Sequence, residues 1–128
     1  MPTFLEETRM TKALMVVQAR CNDPEQIKEF HEWYSFHHLP DVVESEHFSK
    51  ASRYRLVGTL GGAGSTEPSD FLALYEVDTD DVEALNKAVM DNLGVKGGEG
   101  RVIQHPSCEV LSAGFYTFIS EVSHVAPT

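Results

Sequence analysis

The segment Glu29–Leu56, EFHEWYSFHHLPDVVESEHFSKASRYRL, concentrates the residue types that transfer protons and hold apolar rings. Placed on a helix, Ile27, His31, Tyr34 and His38 recur at i, i+4, i+7 and i+11, within a stripe about 60° wide at about 100° per residue. Phe30 flanks that stripe, and Trp33 and His37 lie further round the same side. The stripe begins apolar and becomes polar and aromatic towards Pro40, where a helix that only packs would end in Leu or Val. Tyr34 and His38 are one turn apart, so both polar tips can enter one cavity between helix and sheet. An imidazole is the usual general acid or base near neutral pH, and a phenol donates to a developing oxyanion. Such a pair suits enolisation, dehydration, cyclisation, decarboxylation or isomerisation of an apolar carbonyl compound, steps that need no metal or organic cofactor. In this reading His38 transfers the proton, Tyr34 orients the substrate, Phe30 and Trp33 wall the cavity, and His37 and Tyr75 are further substrate contacts. A plainer role also fits: His38 satisfying the loose carbonyls of a helix end. The stretch Asp41–Ser45 after Pro40 is a candidate lid.

On the next strand, side-chain alternation sends Arg53 and Arg55 to one face and Ser52, Tyr54 and Leu56 to the other. If Tyr54 faces the helix it joins Tyr34 and His38 as a catalytic candidate. If it faces away, Arg53 and Arg55 line the cavity instead, and the sequence leaves both open. Other groups carry less chemistry. His31 and His38 are two turns, about 10.5 Å, apart, too far for one metal ion, and no metal site is expected. The Gly-rich runs GGAGSTEPS and GVKGGEG lack both the Walker spacing and the dinucleotide fingerprint. Cys21 and Cys108 have no activating basic neighbour and no CxxC partner. Asp78, Asp80, Asp81 and Glu83 complement a helix N-terminus.

The elements that must position these groups follow from pattern. Lys12–Arg20 contains five consecutive apolar residues, a strand apolar on both faces. Asp23-Pro24 starts a helix that runs to about His38, where Pro40 ends or bends it. His47–Gly58 reads as the second strand, Leu60–Ser69 as a loop and Asp70–Asp78 as the third strand. A helix capped by Thr79 or Asp80 runs to about Leu93, followed by a flexible run Gly94–Gly100. The last strand spans Ser107–Glu121, with Gly114 as a possible bulge. Residues 1–11 read as a flexible arm, 12–121 as one domain and 122–128 as a tail. The order β-α-β-β-α-β is that of an α+β, ferredoxin-like sandwich, a four-stranded antiparallel sheet with two helices on one face. Because strands one and three are apolar on both sides, a homodimer through the sheet faces is expected. The 128 residues carry 10 Lys and Arg against 20 Asp and Glu, a formal charge of −10. That balance argues against nucleic acid and anionic membranes as partners, and without a leader or an apolar span the reading is cytoplasmic.

Phe30, the Trp33-Tyr34 pair, His38-Leu39-Pro40 and Arg53-Tyr54 together resemble the EthD-like branch of the dimeric α/β-barrel superfamily. The likeness in element order covers Lys12 to Glu121, and the motif itself Phe30 to Leu56. Two positions depart from the family pattern: His37 stands where an acidic residue often precedes the motif histidine, and Glu46-His47 replace a Pro-Gly before Phe48. The resemblance implies a ferredoxin-like protomer that dimerises through its sheets, with His38 carried over first as a functional residue and Tyr34 and Tyr54 as weaker companions. Relatives include polyketide cyclases, dehydratases, decarboxylases, isomerases, cofactor-free monooxygenases and haem-degrading enzymes. The leading expectation is a cofactor-independent enzyme acting on an aromatic or polyketide-like carbonyl compound. The alternatives are a non-catalytic dimeric binder or stress-related carrier of a small apolar molecule and, more distantly, a haem-handling protein with a histidine as axial ligand.

Overall fold

The computed structural model describes residues 13–62 and 70–126. The expected N-terminal arm, most of the loop before the third strand and the last two residues of the tail lie outside them. Four strands, β1 Ala13–Cys21, β2 Phe48–Arg55, β3 Asp70–Val77 and β4 Cys108–Thr117, form one antiparallel sheet in the order β2-β3-β1-β4. The helical segments and the alternation of buried residues place the helices on the face of Ala13, Ala19, Ala73 and Tyr75. This is an α+β arrangement consistent with the ferredoxin-like sandwich. The strands are shorter than the sequence suggests at β2, β3 and β4, because pairing with the neighbouring strand, not apolar composition, sets their ends. The bulge also lies elsewhere. Ser112 opposes Gln18 and Val110 opposes Ala19, so the unopposed residue is Leu111, and Gly114 pairs regularly with Val16.

The first helical stretch starts as expected. Asp23 accepts a hydrogen bond from the Glu25 backbone N–H at 3.1 Å, and Pro24 opens a short 3-10 turn, Pro24–Gln26. α1 follows at Ile27–Trp33, but Pro40 does not end the helix. A π-helical turn, Tyr34–His38, intervenes, with the Leu39 N–H donating back five residues to the Tyr34 carbonyl. Pro40 then falls in the first turn of α2, Leu39–Val43, where its missing N–H and its ring do least harm.

α2 is not a lid. Asp41 and Val42 are each 2% exposed, the Asn92 side chain donates to the Asp41 carbonyl, and the Arg101 guanidinium meets the Asp41 carboxylate at 2.6 Å. Asn92 belongs to α3, Val82–Gly98, which runs through most of the stretch expected to be flexible. Its last turns are tied down by Lys96 to Glu44, and the missing side chain of Gly97 lets Ile103 approach to 3.4 Å of where a Cβ would stand. The N-cap is Asp81, which accepts from Ala84 N–H at 3.1 Å, while Thr79 accepts from Asp81 itself. Among the described residues no helix is long and apolar enough to cross a membrane. Because the Asp41 carboxylate is the buried partner of Arg101, Asp41→Ala should lower stability by about 2 kcal/mol in urea unfolding. Glu44→Ala, which leaves the largely buried Lys96 ammonium without its carboxylate, should lower the midpoint by a smaller amount.

Candidate functional site

His38 gains its surroundings from the π turn. In a regular α-helix, positions five apart point about 140° away from each other, which would separate His38 from Trp33. The wider turn brings them together: the His38 ring stacks on Trp33 at 4.5 Å between centroids and 22° between planes, and meets Tyr34 at 5.2 Å and 89°. Trp33 is itself fixed, its indole N–H donating to the Val102 carbonyl at 2.7 Å. His38 Nδ1 is buried and has no hydrogen-bond partner among the described residues. Burial pulls the imidazole pKa from 6.5 to about 4, against the opposing pull of the Asp41 carboxylate. At neutral pH the ring is therefore uncharged, with one nitrogen able to accept and one to donate.

Behind Tyr34 lies a second group of polar atoms. Strand pairing sets Arg53 opposite Ala73, on the helix side of β2. The Arg53 Nη1 donates to Ser35 Oγ at 2.8 Å and to His31 Nδ1 at 3.2 Å. Its guanidinium carbon lies 4.5 Å from the Tyr34 ring centre, 5.3 Å from Phe71 and 5.5 Å from Phe30. Burial, then Arg53 and Arg55, hold the His31 pKa below its ordinary value, in keeping with a neutral ring accepting from Arg53. The Tyr34 and Tyr75 phenols lie close enough to act on each other. Burial pushes Tyr34 up to about 12 and Tyr75 higher still, so both keep their protons. Cys108 adjoins this group, and burial raises its thiol, which makes it a poor nucleophile.

The structure thus gathers Phe30, Trp33, Tyr34, His38 and Tyr75 on the helix side of the sheet. It does not bring Tyr54 to them: Tyr54 lies on the opposite face, 55% exposed. His37 is exposed and turns away from the cluster. Of the two parities left open by the sequence, the one that puts Arg53 inside is realised. Ser35 was not singled out in the sequence, although it stands four residues after His31 and so on the same helical face. Clefts of 480 Å³ beside Leu14 and Tyr116, 410 Å³ beside Gln18 and Tyr54, and 280 Å³ beside Met15 and Phe115 are lined without His38. Among the described residues no group of three His, Cys, Asp or Glu side chains is placed to hold a metal ion.

The lowered His38 pKa has a thermodynamic sign. The unfolded chain takes up the proton first as the pH falls, so the stability that the neutral ring contributes above pH 6.5 is lost between 6.5 and about 4. The loss is of the order of 3 kcal/mol. Melting curves of the wild type should fall more steeply over this window than those of His38→Gln; parallel curves would place the ring in solvent.

No family model matches the chain, and no curated protein matches it. Among solved structures it is similar to the crystal structure of HapK from Hahella chejuensis, at a TM-score of 0.56 and 11% identity over 89% of this chain and 99% of that one. At that identity the likeness establishes the fold alone, an α+β architecture on a four-stranded antiparallel sheet, compatible with the ferredoxin-like arrangement.

Proposed function

We propose that the protein is a cofactor-independent acid–base enzyme of the EthD-like type, acting on an apolar, aromatic or polyketide-like carbonyl compound. The observation that carries this reading is the buried Nδ1 of His38, without a hydrogen-bond partner among the described residues, beside the protonated phenols of Tyr34 and Tyr75. A buried polar atom without a partner is costly in a structure that only has to be stable. In the proposed reaction the neutral imidazole removes a proton next to the carbonyl, and the Tyr34–Tyr75 pair donates to the oxygen as it becomes an enolate. Phe30 and Trp33 hold the apolar body of the substrate. Approach of the enolate raises the imidazole pKa from about 4, so the ring becomes a better proton carrier when the site is occupied.

The face of the sheet away from the helices carries Leu14, Val16, Leu72 and Leu74, with Tyr54 and Tyr116 beside them. We place the contact with a second copy of the chain there, since water is a poor cover for such a surface. A binder of an apolar molecule without turnover is the second reading, favoured by the clefts that open away from His38.

Hydrogen–deuterium exchange next to the carbonyl of aryl ketones and 1,3-diketones, followed by NMR in heavy water, tests the chemistry without knowledge of the natural substrate. The wild type should accelerate exchange of at least one compound, and His38→Gln should reduce that rate about 100-fold or more. An unchanged rate in the variant removes His38 from the mechanism. Sedimentation of the wild type should give a dimer and Leu74→Lys a folded monomer; a monomeric wild type at micromolar concentration overturns the paired sheets.

A further inference from the structure

Among the described residues, two of the five N–H donors of the Arg53 guanidinium find hydrogen-bond partners. Nη1 is taken by Ser35 and His31, whereas Nε and Nη2 are buried and have no hydrogen-bond partner among the described residues. These two nitrogens form one edge of the planar group, with parallel N–H bonds spaced to meet both oxygens of a carboxylate. The deficit is chemically odd in this chain, where acidic residues outnumber basic ones by two to one. Arg20 meets Asp70 at 2.7 Å and Arg101 meets Asp41 at 2.6 Å. Arg53 lies on the helix side of the sheet, yet no described carboxylate is paired with it. What surrounds it instead is the rings of Tyr34, Phe71 and Phe30, with Arg55 adding like charge. Ring faces offset part of the cost of a buried cation, but they supply no in-plane lone pair for the N–H edge.

The geometry points to the Nε/Nη2 edge of Arg53 as the receptor for the carboxylate of an aromatic or otherwise apolar carboxylic acid. One N–H of Nε and one of Nη2 close on the two carboxylate oxygens, and the cation gains a counter-charge that no described carboxylate supplies. The apolar body of the acid lies along the same aromatic wall. Arg53 and His38 both contact the Tyr34 ring, at 4.5 Å and 5.2 Å, so an acid anchored at Arg53 lies near the phenol that the imidazole also meets. The inference rests on the reading of this interior as a small-molecule site and narrows its substrates to carboxylic acids. Arg53 is here a binding residue, and His31 and Ser35 position it through Nη1.

The chain's single tryptophan, Trp33, stands against the same cluster and reports binding by its fluorescence. The probes are benzoate and 3-phenylpropanoate, each paired with its neutral amide. The acids should quench or shift Trp33 emission saturably and bind at least 10-fold more tightly than the amides. Arg53→Lys, which keeps the charge but loses the planar edge, should weaken the acids at least 10-fold and leave the amides unchanged. In ¹⁵N-arginine-labelled wild type, the Nε–H resonance absent from Arg53→Lys should move downfield on adding benzoate, a readout that needs no variant to bind. Equal binding of acid and amide, or acid binding indifferent to Arg53→Lys, overturns the carboxylate receptor while leaving the small-molecule site intact. Binding of none of the four probes, with a static Arg53 resonance, overturns the receptor as well, and proton exchange of ketones by His38 then decides separately whether the acid–base reading stands.

Discussion

The π turn at Tyr34–His38 is the constraint on which the arrangement depends. Pro40 cannot donate a backbone hydrogen bond, and its ring crowds the carbonyl four residues back. One residue of extra width ahead of it lets the helical path continue instead of breaking. Two consequences follow from that single insertion. His38 rotates onto Trp33 while keeping its place beside Tyr34, and α2 is carried into the groove beside α3, where Asp41 becomes buried. A regular helix ending at Pro40 would supply neither. Wide turns of this kind recur at functional sites because they re-aim a side chain at the expense of helix regularity.

The interior that results is polar in a specific way. It holds a neutral imidazole, a pair of protonated phenols and a guanidinium, all against aromatic surface, with the Asp41 carboxylate acting on the imidazole and no described carboxylate paired with the guanidinium. Burial is the largest cause of each displaced pKa in the cluster, which means that the groups are tuned by loss of water more than by one another. Such a site changes its properties when something charged enters it, since His38 Nδ1 and Arg53 Nε and Nη2 have no hydrogen-bond partner among the described residues.

The outer face of the sheet poses a different problem. β1 and β3 place Leu14, Val16, Leu72 and Leu74 there, and the helices cover only the other side. The sequence already carries this tension, because a run such as Ala13–Val17 makes no distinction between faces. Pairing register converts it into a defined apolar patch with Tyr54 and Tyr116 at its sides.

Much of the fold was legible in the sequence because it rests on local rules: the Asp23-Pro24 helix start, the period of the helices and the two-faced strands all act within a few residues. The stripe of Ile27, His31, Tyr34 and His38 named the helical face of the site for the same reason. What the tertiary structure alone decided were matters of register and of contact at long range. The face taken by Tyr54 and by Arg53 depends on which residue of β3 each opposes, and one step of register exchanges them. α3 continues through Gly94–Gly98 because Asn92 and Lys96 find partners in and beside α2, which local propensity cannot foresee. The stacking of His38 on Trp33 came from the way the chain absorbs Pro40, a backbone accommodation that a wheel of 3.6 residues per turn cannot contain.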